Sequence, residues 1–203
     1  MPPQIRIDLE TRLSQRPVVV ELGCGRNKPA ERIGIDRVEL PTADIVADLE
    51  DGLPYLPDNS VDALYAHSVL EHVRNFDGLM AEIVRVLRPD GRAQVYVPHF
   101  SNPYQFSDYT HTRHFGFYTF AYFMETRRQY RRKVPNFYNG TRIRMLSQTL
   151  VFESSFFLSR LIKKAFGFLV NRGSILQELY EAHFCYLFPC QGIYVVFTPD
   201  KER

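Results

Sequence analysis

In the first half of the chain, apolar residues come in short, dense runs separated by polar turns. Val18-Val19-Val20, Ile33-Gly34-Ile35, Ile45-Val46, Val61 to Tyr65 and Ala93 to Val97 are too short for helices. Their β-branched content fits strands buried on both faces. They predict strands at 18–23, 32–36, 44–48, 62–67 and 92–97. Leu70, Val73, Leu79, Ile83, Val86 and Leu87 fall on one helical face and predict a helix over 69–88, stopped by Pro89-Asp90-Gly91. An aromatic and polar insertion follows at 99–140. Beyond it the pattern predicts a strand at 141–152, helices at 155–170 and 174–187, and a last strand at 192–198. The alternation predicts an α/β fold, with residues 1–203 as a single domain and 99–140 and 153–190 as a helical and aromatic cap on the substrate side.

The first strand runs into Glu21-Leu22-Gly23-Cys24-Gly25, and the second ends on Asp36. Glycines let a backbone pass close to a ligand, and ligands of open α/β sheets sit at the carboxyl ends of strands. Two strand tips carrying carboxylates, with a glycine loop between them, suit a ligand that has an amino group and a ribose. The dinucleotide fingerprint is missing, because no third glycine follows and Asp36 arrives only eleven residues after Gly25. No Gly-Lys-Ser/Thr is present, which excludes a P-loop.

Glu21-Leu22-Gly23-Cys24-Gly25 resembles the first motif of the class I, Rossmann-like S-adenosylmethionine-dependent methyltransferases. Four further stretches match that family in order: Asp44 to Leu49, the Asp58-Asn59-Ser60-Val61-Asp62 turn, Leu70-Glu71-His72, and Glu82-Ile83-Val84-Arg85-Val86-Leu87-Arg88-Pro89-Asp90-Gly91. The resemblance covers residues 18 to 98. It implies a three-layer sandwich around a mostly parallel seven-stranded sheet, whose last strand inserts antiparallel. It implies S-adenosylmethionine as cofactor, with Gly23, Cys24 and Gly25 under its methionine part. Asp36 would then meet the ribose hydroxyls, Asp48 and Leu49 the adenine, and Glu21 the amino-acid end, with His67 shaping the pocket. One departure stands out. Only seven residues separate Gly25 from the second strand, too few for the usual crossover helix.

Net charge is +2, too small to imply a nucleic-acid partner by itself, and none is expected. Cys24, Cys185 and Cys190 show no metal-type spacing, and an odd count suits a reducing compartment. The first residues carry no apolar signal core, and no apolar run is long enough to span a bilayer, so the expectation is a cytoplasmic protein.

Five of the six histidines fall within residues 67 to 114. Methyl transfer to a hydroxyl needs a positioned nucleophile and a proton acceptor, and histidine titrates near neutral pH. His99, just past the strand at 92–97, is the preferred base, with His67 and Asp108 as further catalytic candidates. His72, His111, His114 and Tyr104 are read as contacts to substrate. His99, Asp108, His111 and His114 also offer a divalent-metal ligand set, against the alternative of an Asx-type turn that hydrogen-bonds its own loop. Seven basic residues between 127 and 144 either grip an anionic substrate or form a solvated face. The apolar 156–170 stretch, carrying Arg160, Lys163 and Lys164, is a cap helix, a homodimer face or a membrane-surface element.

The leading reading is O-methylation of a small hydroxylated molecule, a sugar or glycan precursor. RNA or protein methylation through the 127–144 stretch, and a non-catalytic cofactor-binding module, are the alternatives. The strand-end pattern of base-amino methylation is absent, since that place reads Ala66-His67-Ser68-Val69.

Overall fold

The computed structural model describes residues 2–201. Eight strands form one sheet: β1 (Gln4–Ile5), β2 (Val19–Leu22), β3 (Ile33–Asp36), β4 (Ile45–Val46), β5 (Val61–His67), β6 (Leu87–Pro98), β7 (Ile143–Val151) and β8 (Gly192–Pro199). Their order is β1-β4-β3-β2-β5-β6-β8-β7. β2 to β6 run parallel, while β8 lies antiparallel between β6 and β7. The expected seven strands gain an eighth. Gln4–Ile5 pairs antiparallel with β4 at the sheet edge, and two exposed residues are too short a run to signal a strand in sequence.

From β2 the chain steps outward to β3 and β4, then returns to β5 on the other side of β2. The carboxyl ends of β2 and β5 therefore flank the topological switch point, where α/β sheets open a crevice.

The α-helices are α1 (Leu9–Ser14), α2 (Phe76–Val86), α3 (Pro103–Ser107), α4 (Phe157–Val170) and α5 (Ser174–His183). No helix joins β2 to β3. The Lys28 side chain fills that space instead. Its Nζ bonds the Arg32 carbonyl at 2.6 Å and Asp44 at 2.9 Å, and its stem runs across Gly34, where a Cβ would fall 2.4 Å from Lys28 Cδ.

α2 starts seven residues later than its apolar pattern predicts. Leu70–His72 makes a single 3-10 turn, and the Glu50 carboxylate accepts the N–H groups of Arg74 and Asn75, each at 2.7 Å. The helix ends at Val86 and passes directly into β6. Phe76, Leu79, Met80, Ile83 and Val86 are buried, each worth about 1.5–3 kcal/mol. Glu82 and Arg85 clamp α2 to the loop before β5. Arg85 donates to Glu82, to Asp58 and to the carbonyls of Leu53 and Leu56, while Glu82 accepts the Leu53 N–H at 2.9 Å. Asp62 accepts the Val18 N–H at 2.8 Å, tying β5 to β2.

The 99–140 insertion supplies core as well as loop. Phe115, Phe117, Phe120 and Phe123 are fully buried or nearly so, and three of them pack edge-on against Phe76. One continuous apolar core runs from Val18 to Phe197 and includes the insertion. The basic stretch runs from a 3-10 turn through a loop into the start of β7. Arg127 pairs with Glu125, Arg128 pairs with Asp200, and Arg142 holds the carbonyls of Asn136, Asn139 and Thr141. α4 leaves Phe157, Leu158, Leu161, Ile162, Phe168 and Leu169 exposed. Among the described residues no helix is long and apolar enough to cross a membrane.

Candidate active site

Two clefts open at the carboxyl ends of the parallel strands. The smaller, about 610 Å³, is walled by Gly23, Asp36, Asp48, Leu49, Ser68 and Val69 among others. Its volume lies within the roughly 300–1,000 Å³ of small-molecule sites. Gly23 and Gly25 both hold positive φ, +62° and +55°. The loop is pinned to the tip of β3: Gly25 N–H donates to one Asp36 oxygen at 3.0 Å, and Val38 N–H donates to the other at 2.9 Å. The Thr42 hydroxyl closes the far side by donating to the Gly25 carbonyl. Asp48 accepts the Glu50 N–H at 3.0 Å, which starts the next turn.

Glu21 and Cys24 line neither cleft. Glu21 pairs with Arg32 at 3.1 Å, and that guanidinium lies 3.8 Å from the Tyr65 ring centre. Cys24 is buried with Ala43 and Val46, and burial, with Asp36 adding to it, raises its thiol to about 11.

The larger cleft, about 1110 Å³, opens beside the first and shares Ser68, His72 and Tyr109 with it. His67 ends β5 in this cleft. Its ring stacks on Tyr96 at 4.5 Å, and its nitrogens hydrogen-bond no group among the described residues. Tyr104, Asn102, Glu153, Gln191 and Tyr194 line other parts of the wall.

His99 is a correction. It is 0 % exposed and lines neither cleft. Its Nδ1 accepts from Ser101 N–H at 3.1 Å, so Nε2 carries the proton and donates to Glu181 at 2.8 Å. Glu181 also accepts the Phe117 N–H at 2.8 Å, so His99 joins β6, the insertion and α5. A ring committed on both sides and shut from the clefts cannot take a substrate proton.

The tetrad His99, Asp108, His111, His114 does not assemble either. His114 is exposed, packed on Phe106 and 3.3 Å from the Gln105 amide. Asp108 does form the Asx-type turn. One of its oxygens accepts from the Thr110 hydroxyl and, at 2.9 Å, from the Thr110 N–H, and these bonds, the hydroxyl's first, keep its carboxyl low. Its other oxygen lies 3.5 Å from His111 Nε2.

Sequence reasoning passed over Glu71. It sits in the 3-10 turn after β5, 1 % exposed, and lines the larger cleft. Its Oε2 has no hydrogen-bond partner among the described residues, and its Oε1 lies 4.0 Å from His111 Nε2. Burial, with the Asp108 charge adding to it, lifts its carboxyl to about 7. Thr112 N–H donates to the Glu71 carbonyl at 2.8 Å, which brings the 108–112 loop onto this turn. An acid between Leu70 and His72 was the available signal, but its burial depends on that distant loop.

A methyltransferase-domain family model matches residues 30–95, beginning just after the glycine loop. The sterol 24-C-methyltransferase ERG6B of Gibberella zeae is 33% identical over 101 residues, covering 38% of this chain and 27% of that protein. The chain thus spans about a quarter of the curated relative it matches. Solved structures resemble it over most of its length. A complex of the Haloferax volcanii Trm112 methyltransferase activator with a putative methyltransferase gives a TM-score of 0.53 at 16% identity, covering 95% of this chain and 89% of the matched one. A geranyl diphosphate C-methyltransferase from Streptomyces coelicolor gives 0.51 at 14% identity, covering 94% and 76%. At such identities the likeness is one of fold.

Proposed function

From the methyltransferase-domain match over residues 30–95 and the shared class I, Rossmann-like fold, we propose that the chain is an S-adenosylmethionine-dependent methyltransferase that moves a methyl group from a cofactor in the smaller cleft to a hydroxyl of a small molecule in the larger one. The carrying observation is the shared wall of Ser68, His72 and Tyr109, which lets two ligands meet end to end. Bound there, S-adenosylmethionine supplies an electrophilic methyl group on a sulfonium sulfur.

The chain's own groups fit that ligand. Asp36 retains acceptor capacity beyond its two backbone bonds and stands where ribose hydroxyls would donate. The Gly25 position leaves open space around a built Cβ, so the backbone is free to lie against the ligand. Asp48 and Leu49 wall the adenine end.

In the larger cleft, the stacked His67–Tyr96 pair offers an aromatic face, and Asn102, Glu153 and Gln191 offer hydrogen bonds. Such a lining suits a polyhydroxylated acceptor of the sugar or glycan-precursor class, whose ring stacks on an aromatic face while its hydroxyls find polar partners. His67 is the proton acceptor in this reading, since its ring faces the cleft with both nitrogens uncommitted. Incubation with methyl-labelled cofactor and matched sets of hydroxyl, amine and carbon acceptors tests it. Label on hydroxyl oxygen supports the reading, and label confined to nitrogen or carbon overturns it.

The exposed face of α4 supports contact with an anionic lipid surface, because its apolar side chains are accompanied by Arg160, Lys163 and Lys164.

A further inference from the structure

Glu71, His72 and His111 come from two segments forty residues apart, yet one ligand-type atom of each lies within 4.8 Å of the other two. The separation of His111 Nε2 from Glu71 Oε1, 4.0 Å, is too long for a hydrogen bond. Tetrahedral ligands at about 2.0–2.2 Å from an ion sit roughly 3.3–3.6 Å apart, so the three groups would draw together by up to about 1 Å around one. Glu71 is 1 % exposed with Oε2 unpartnered among the described residues. A buried carboxylate with no compensating group is costly, and a cation removes that cost.

The two rings are prepared for the role. His111 Nδ1 donates to the Gln105 carbonyl at 2.9 Å. His72 Nδ1 lies 3.3 Å from the Thr110 carbonyl and 3.0 Å from its hydroxyl, whose own proton goes to Asp108. Both networks put the proton on Nδ1 and leave the Nε2 lone pair for a ligand, the arrangement by which backbone carbonyls orient metal-binding histidines. Asp108, 3.5 Å from His111 Nε2, adds negative charge at the rim.

We propose that Glu71, His72 and His111 bind one divalent transition-metal ion in the wall of the larger cleft. Two imidazoles and one carboxylate favour Zn²⁺, Mn²⁺, Fe²⁺ or Co²⁺ over Ca²⁺ or Mg²⁺. Three protein ligands leave coordination positions open, and all three residues line the space assigned to the acceptor. An acceptor hydroxyl bound there becomes more acidic and easier to deprotonate. That use of the ion rests on the methyl-transfer reading; its binding does not.

The test is a Co²⁺ titration of chelator-treated full-length protein, read by visible absorption. One equivalent per chain should bind and be displaced by Zn²⁺. Affinity should fall at least about tenfold in Glu71→Gln and in His111→Ala, and hold in His183→Ala. Retained binding of S-adenosylhomocysteine by Glu71→Gln certifies its fold. Absence of the Co²⁺ band, or an equal band in both ligand variants, overturns the site. Co²⁺ binding without methyl transfer to any hydroxyl leaves the site standing and removes the acceptor reading instead.

Discussion

A Cβ built on Gly23 falls 2.6 Å from Cγ2 of Val69, so the tip of β2 and the chain leaving β5 touch without room for a side chain. Gly25, with similar φ, has nothing within 4 Å of such a Cβ. Gly25→Ala therefore meets backbone strain alone, about 1 kcal/mol, while Gly23→Ala adds a clash. Chemical denaturation should show Gly23→Ala as the more destabilised, with Val69→Gly partly restoring it, since the Val69 Cβ itself lies 2.7 Å from the built atom. Additive effects in that double-mutant cycle would contradict the contact.

The fully buried His99 ring joins three elements through its hydrogen bonds to Ser101 and Glu181. His99→Ala should cost about 2–4 kcal/mol of stability, because Glu181 is left without its ring partner. Protein that remains folded should bind S-adenosylhomocysteine as tightly as the parent. His67→Ala should do the reverse, melting normally and losing transfer. A stable but inactive His99→Ala would return the ring to the chemistry.

The Glu82–Arg85 clamp carries a pH signature. Arg85 hydrogen bonds hold the Glu82 carboxyl below its ordinary 4.5. A depressed folded value means the clamp stabilises above the unfolded value and weakens as pH falls through the folded one. Glu82→Gln should cost about 1–3 kcal/mol near pH 7 and progressively less below pH 4 in urea melts. A pH-independent cost would rule out the charge as its source.

Leu158 and Leu161 are 70% and 51% exposed on α4. The parent should sediment with anionic vesicles in a salt-sensitive way, and Leu158→Glu with Leu161→Glu should not. A stable dimer that ignores vesicles would make this face a subunit contact.

The parallel strands were legible because runs buried on both faces announce themselves in sequence, and the glycine loop and Asp36 because backbone freedom and strand-end acids are local properties. The late start of α2 was hidden, since Glu50 captures the N–H groups of residues 74 and 75 from outside the helix. His99 misled because its position past β6 is readable, whereas Glu181, 82 residues away, is what occupies it. Glu71 escaped for the same reason. Which side of a one-turn helix is buried depends on the loop held there by Thr112.

The most direct measurement is calorimetric titration of S-adenosylhomocysteine into the parent and Asp36→Ala. The parent should bind one equivalent, and loss of the carboxylate should weaken binding at least about tenfold, the value of roughly one charged hydrogen bond. No heat with the parent, or equal affinity in both, would contradict a nucleotide held at the tips of β2 and β3.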